Sequence, residues 1–234
     1  FSLILPLLPY YAESYGASQL LIGGLAGAYA AAQFIGAPLL GRLSDRFGRR
    51  PILVVSIGGT ALSFVVLGLS EPLGKALAGI PLAQATSEQA IALQNATIIG
   101  VMFFSRLLGG LTGGNITVAQ AYIADVTDAE NRAKGLGLIG AAFGLGFILG
   151  PVAGGALSAF GYDVPSFAAA GLALLNLLSV IFFLPESLTP ERREELLTER
   201  RSLISLGAMW EALNKPRVGP LLNIRLFYAL AAAI

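Results

Sequence analysis

The stretch Gly41-Arg42-Leu43-Ser44-Asp45-Arg46-Phe47-Gly48-Arg49-Arg50-Pro51 decides the fold class, because it places five charges in eleven residues between two long apolar segments. A charged tight turn between such segments is what a cytoplasmic connection between membrane-spanning helices looks like, since arginine and lysine accumulate on that side of a bilayer.

Composition agrees with that reading. Hydrophobic residues make up 55% of the chain and charged ones 12%, with a mean hydropathy of +0.74. Soluble domains carry about 25% charged residues, so this chain lacks the polar surface of a water-exposed globule. It contains neither cysteine nor histidine, which excludes disulfide frameworks, Cys/His zinc sites and Ser-His or Cys-His catalysis. No enzyme, cofactor or metal is expected. The motif G-x-x-x-x-G-K-[ST] is absent, so an ATP-driven pump is unsupported, and a net charge of +1 makes no case for nucleic acid. The chain opens at Phe1 and stops at Ile234, both inside apolar runs, and reads as a fragment truncated at both ends.

A spanning helix needs about 20 mostly apolar residues. Complete spans are predicted at 19–40, 52–70, 96–122, 134–158 and 166–184, with partial ones at 1–11 and 219–234. The runs are apolar throughout and too long for strands, which gives an all-α membrane protein. The predicted organisation is a bundle over 1–184, a cytoplasmic linker over 185–217 and the start of a further span over 218–234. Twelve of the 15 basic residues fall in the connections after the second, fourth and sixth segments, whereas the opposite loops at 12–18, 71–95 and 159–165 hold only Lys75. The basic side is therefore the expected cytoplasmic side of a multi-pass protein of the cell membrane, with the N-terminus cytoplasmic. In the linker, Pro190-Glu191-Arg192-Arg193-Glu194-Glu195 opens a charged helical stretch, read as a solvated tether or a regulatory segment. Thr86-Ser87-Glu88-Gln89 matches a capping box ahead of the span predicted at 96–122.

Arg106 is the sharpest single residue. It lies about 15 Å along its span at 1.5 Å per residue, near the bilayer midplane, where an arginine costs several kcal/mol unless it faces a wet cavity or a counter-charge. It reads as a substrate or proton-coupling site, or else as a structural cation bonded to helix carbonyls. Helical spacing sets Gly110, Gly113, Thr117 and Gln120 within roughly 40° of it, a small and polar face. Asn115 falls on the opposite face. Tyr29 and Gln33, at i and i+4, either line the same cavity or make interhelical hydrogen bonds; Asn176 is similar. Gly137, Gly146, Gly150, Pro151, Gly154 and Gly155 predict a kinked helix that admits a close neighbour. Asp45, Arg49 and Asp125 should sit together at helix ends as a charge cluster, made in one conformational state and broken in another.

With these residues in place the chain resembles the N-terminal half of a transporter of the major facilitator superfamily, drug:proton antiporter type, similar to tetracycline-resistance efflux proteins. The loop Gly41–Arg50 matches the family's signature, with Gly41, Asp45, Gly48 and Arg49 in its positions. Arg106 and Gly110 match R-x-x-x-G, the glycine-proline run of 137–155 matches the antiporter motif, and Leu184-Pro185-Glu186-Ser187 closes the sixth helix. Gly109 stands where the family often has glutamine.

The resemblance implies two six-helix bundles rocking about a central site. It implies that Asp45, Arg49 and Asp125 stabilise the state closed to the cytoplasm, that Arg106 couples proton movement to substrate passage, and that the glycine-rich helix packs on the missing C-terminal half. The expected function is proton-coupled export of small amphipathic molecules, drug-like or tetracycline-like. The alternatives are an importer or facilitator for sugars or organic anions on the same fold, and a non-transporting membrane receptor or scaffold. Expected partners are a small-molecule substrate, protons and the lipid bilayer, with no nucleic acid.

Overall fold

A computed structural model describes residues 1–79 and 88–198. Its elements, all helical among the described residues, are α1 (Leu8–Glu13), α2 (Gln19–Phe47), α3 (Arg49–Gly68), α4 (Ser70–Ala78), α5 (Glu88–Thr112), α6 (Asn115–Val126), α7 (Ala129–Ser158), α8 (Val164–Phe183) and α9 (Pro190–Thr198). Among the described residues five stretches are long and apolar enough to cross a membrane: α2, α3, α5 with α6, α7 and α8. The all-α membrane class follows. The predicted span 218–234, most of the linker 185–217 and Thr86-Ser87 lie outside the described residues.

Several predicted boundaries need correction. The charged stretch is not a loop. Helix α2 runs through Phe47 and α3 begins at Arg49, so the connection is Gly48 alone. Its φ of 108° is open to glycine and strained for other residues, which lets the chain reverse within one residue. The described parts of the predicted loop 71–95 are also helical, formed by α4 and the start of α5. The span predicted as 96–122 begins earlier, ends later and is broken at Gly113–Gly114. The first segment is wound irregularly, with α1 confined to Leu8–Glu13; Pro6 and Pro9 each remove a backbone donor.

The other ends obey local rules. Ser18 caps α2 by accepting from the Leu21 N–H at 3.4 Å, and Asp128 caps α7 by accepting from the Asn131 N–H at 2.9 Å. Both side chains satisfy a donor that a helix start leaves free.

Helix α3 packs on α5 and α8, and α2 packs on α5. Between membrane helices, packing rests on close contact rather than on water exclusion, so small residues dominate the crossings. A Cβ on Gly114 would lie 2.6 Å from Ala37 Cα, and one on Gly110 would lie 2.7 Å from Ala32 Cβ. The α2 and α5–α6 backbones therefore nearly touch where Arg106 sits. Two apolar clusters flank that level. One gathers Leu25, Phe64, Leu67, Ile98 and Met102 with the first segment; the other gathers Leu40, Ile52, Leu53, Ile57 and Val118 towards the basic end.

Candidate functional site

Arg106 lies one residue from the midpoint of the 39-residue stretch Glu88–Val126 and is only 3% exposed. Its guanidinium carbon is 5.9 Å from the Tyr29 ring centroid and 5.8 Å from that of Phe64. Such contacts are worth roughly 0.5–2 kcal/mol each. They do not replace hydrogen bonds, and Nε and Nη2 of Arg106 have no partner among the described residues. A buried donor left unpaired costs about 1–3 kcal/mol, more when charged. The site therefore holds a cation in want of an acceptor.

Tyr29 and Phe64 form part of the wall of a cavity of about 320 Å³, together with Gln33, Thr60, Ser63, Gly109, Gly113, Asn115, Phe143 and Phe147. The Thr60 hydroxyl donates to Ser56 O at 3.0 Å and that of Ser63 to Thr60 O at 2.8 Å. Both oxygens keep lone pairs for other donors. Gln33 Nε2 donates to Gly113 O at 3.2 Å, so Gln33 both lines the cavity and ties two helices together. Tyr29 lines the cavity and stacks on Phe1, with centroids 4.8 Å apart.

The continuous polar face predicted below Arg106 does not survive. The Gly113 N–H bonds to Gly110 O at 3.1 Å and the Thr117 N–H to Gly114 O at 3.2 Å. Both are i→i−3 bonds, which interrupt the α-helical phase. Thr117 and Gln120 are consequently exposed and away from the cavity wall; the Thr117 hydroxyl bonds to Gly114 O at 2.6 Å. Asn115, expected on the far face, lines the cavity instead. The clue was the adjacent pair Gly113-Gly114, readable as a helix break rather than as packing.

At the basic end the predicted cluster forms. Arg49 Nη1 donates to Asp45 Oδ1 at 2.5 Å and Nε to Asp125 Oδ2 at 2.9 Å. Nη1 also bonds to the Ser44 hydroxyl at 2.7 Å, and the Ser44 Oγ donates to Gly41 O at 2.6 Å. The Arg49 side chain is 6% exposed and that of Asp125 15%; the openness of Asp125 lies in its main chain. Ion pairs this buried are costly to break singly.

Glu186 completes the cluster. Its Oε1 accepts the Arg49 N–H at 2.8 Å and its Oε2 the Arg50 N–H at 3.1 Å. A carboxylate thus caps the first turn of α3, offsetting two arginines at the wrong end of the helix dipole. A Cβ on Gly48 would lie 3.0 Å from Glu186 Cδ, so that glycine is needed for space as well as for φ. Arg50 Nη2 reaches Ile181 O at 2.5 Å. In the sequence Glu186 was visible only within Leu184-Pro185-Glu186-Ser187, with no role attached.

Helix α7 carries Pro151 inside it. Among its motif glycines, Gly150 and Gly154 are buried and face Ser2 and Leu3 of the first segment. The Ser2 hydroxyl bonds to Gly146 O at 2.6 Å. Gly137 and Gly155 face open space, so this structure places only part of the motif in close packing.

At the opposite end the Tyr15 hydroxyl donates to Glu71 Oε2 at 2.9 Å and Lys75 Nζ to Oε1 at 2.5 Å. The Lys75 hydrogen bond, then that of Tyr15, hold the Glu71 carboxyl below its usual range. Burial and the Glu71 hydrogen bond push the Tyr15 phenol up.

The sequence matches the Major Facilitator Superfamily over residues 1–234. It is 37% identical over 194 residues to the tetracycline resistance protein, class C, of Escherichia coli, covering 82% of this chain and 42% of that protein. It is 33% identical over 195 residues to multidrug resistance protein 2 of Bacillus subtilis, covering 83% and 42%. Among solved structures it is similar to the human organic anion transporter MFSD10 (TETRAN), with a TM-score of 0.63 and 30% identity over 82% of this chain and 45% of that one. The chain thus spans less than half the length of the relatives it matches.

Proposed function

The chain belongs to the major facilitator superfamily, and from that premise we propose that it forms the N-terminal half of a proton-coupled secondary transporter exporting small amphipathic molecules. The observation that carries this reading is Arg106, a buried guanidinium with Nε and Nη2 unpaired among the described residues, held behind the aromatic wall of a cavity that also presents Gln33, Thr60, Ser63 and Asn115. A fixed cation in a low-dielectric site favours an anion or a deprotonated acid beside it. Binding of a proton to such a partner and binding of substrate then compete for one charge, which is the energetic basis of exchange.

Tyr29, Gln33 and Asn115 supply polar contacts in that cavity. Arg49, Asp45, Asp125 and Glu186 form the latch of the basic end, assembled here and broken when that end opens. Gly41 and Gly48 shape the latch, and Pro151 with its neighbouring glycines is where α7 can bend during the cycle. The surrounding membrane is the cell membrane, with the basic end and the N-terminus cytoplasmic. Protons, substrate and the C-terminal half are the partners.

One observation favours a second reading. The unpaired donors of Arg106 suit an organic anion, and MFSD10, to which this chain is similar, is titled an organic anion transporter. A facilitator for such anions on the same fold needs no proton.

The test is flux by the full-length protein in membrane vesicles with an imposed proton gradient, using tetracycline and an organic anion in parallel. Flux that collapses with the gradient supports antiport. Equal flux without it supports the facilitator, and no flux of any probe overturns both.

A further inference from the structure

Two cavities meet at the rings of Phe1, Phe143 and Phe147. Beside the chamber of about 320 Å³ lies a second, of about 590 Å³, between the first segment, α7 and α8, reaching Ile139, Ala142 and Asn176. Phe143 and Phe147 wall both. At i and i+4 they share one face of α7, and they are 44% and 52% exposed.

The chambers differ in chemistry. The first carries Gln33, Thr60, Ser63 and Asn115 among its aromatic rings and has the unpaired donors of Arg106 behind its wall. The second has fewer polar side chains in its wall, Ser2 and Asn176, and the Ser2 hydroxyl is already engaged with Gly146 O. We infer that the two are one binding site divided by Phe143 and Phe147, and that its ligand is an elongated amphipath with a negatively charged head. The head occupies the first chamber. A flat apolar body lies across the two rings and extends towards Asn176.

The physics favours that orientation. The unpaired guanidinium attracts an anionic head and repels a cationic one, and low polarity strengthens both effects. Phenylalanine faces and edges hold flat rings by stacking or edge contact. Each volume lies within the roughly 300–1,000 Å³ typical of small-molecule sites. The inference rests on the transporter reading only in taking this ligand as the cargo, which makes Phe143 and Phe147 specificity-determining residues.

The experiment uses single-cysteine versions of the full-length protein in membrane vesicles: Ala142→Cys, Asn176→Cys and, as a control on the other side of α7, Ile148→Cys. The described chain contributes no native cysteine. Maleimide labelling is timed with 1-pyrenebutanoate or 1-pyrenemethylammonium, which share a ring system and differ in head charge. Butanoate should slow labelling at positions 142 and 176 by about fivefold or more, with the ammonium acting less than about twofold and position 148 unaffected. In a Phe147→Ala background, half-protection at position 176 should need about tenfold more butanoate, with Phe147→Tyr restoring it. Equal protection by both probes, or none at 142 and 176, overturns the inference. Protection that persists where gradient-driven flux is absent supports the site and counts against the transport reading.

Discussion

Glu186 Oε1 accepts the main-chain N–H of Arg49 at 2.8 Å, joining residues 137 positions apart and tying the end of α8 to the start of α3. The same Arg49 carries its side chain to Asp45 and Asp125. One residue therefore gathers three carboxylates, two through its guanidinium and one through its backbone.

Removing the cap should loosen α3 without unfolding the bundle. Glu186→Ala is expected to cost about 0.5–2 kcal/mol, the usual worth of a helix N-cap. Glu186→Gln keeps an acceptor but loses the charge and should cost less. Thermal unfolding of the detergent-solubilised protein gives both values.

Asp125→Asn leaves the buried Arg49 one counter-charge short. Unpairing a buried ion costs about 3–5 kcal/mol, and Asp45 retains part of the compensation, so the closed state should lose about 2 kcal/mol. In a Leu40→Cys background, maleimide labelling at that buried position of the basic-end cluster should quicken by about tenfold or more. An unchanged rate would remove Asp125 from the latch.

The crossing of α2 with α5 allows no side chain at Gly110, where a Cβ would lie 2.7 Å from Ala32 Cβ. Gly110→Val should destabilise the bundle by about 1–3 kcal/mol through overpacking. Gly140→Ala, inside α7 and with nothing within 4 Å of its Cβ, should not lower the melting temperature and should raise it slightly, by about 0.5–1 kcal/mol of helix propensity. A matched pair of melting curves checks the contrast.

At the opposite end, Lys75 and Tyr15 hold Glu71 below its ordinary value of 4.5. A carboxyl depressed in the folded state contributes stability that is present above its unfolded pKa and lost as pH falls through the folded one. The tie between Tyr15 and α4 should therefore persist at neutral pH and fail only in acid below about pH 4.5. Tyr15→Phe removes one cause of the depression and should raise the Glu71 midpoint, measurable by NMR titration of labelled carboxyls.

Much of this architecture was legible beforehand because membrane helices declare themselves by long apolar runs, and the number of complete spans followed from those. Arg106 stood out because a charge inside such a run is expensive, and its burial agrees. Helix phase was less legible. A 100° progression carried through Gly113-Gly114 put Thr117 and Gln120 beside Arg106 and Asn115 opposite, whereas two i→i−3 bonds reset the phase. The turn at residues 41–51 was overextended for a related reason: charge suggests a loop, but a helix end projecting from apolar surroundings also carries charge. Glu186 escaped because its partners lie 136 and 137 positions away, and long-range backbone capping leaves no periodic trace.

The central claim is that the buried guanidinium of Arg106 links substrate movement to protons, and Arg106→Ala addresses it most directly. The full-length variant, reconstituted in vesicles, is compared with wild type for gradient-driven flux and for gradient-free exchange of labelled tetracycline or an organic anion. Gradient-driven flux is predicted to fall to the leak rate while the protein keeps its melting temperature within a few degrees, about 1 kcal/mol. Full gradient-driven flux in Arg106→Ala would contradict the account.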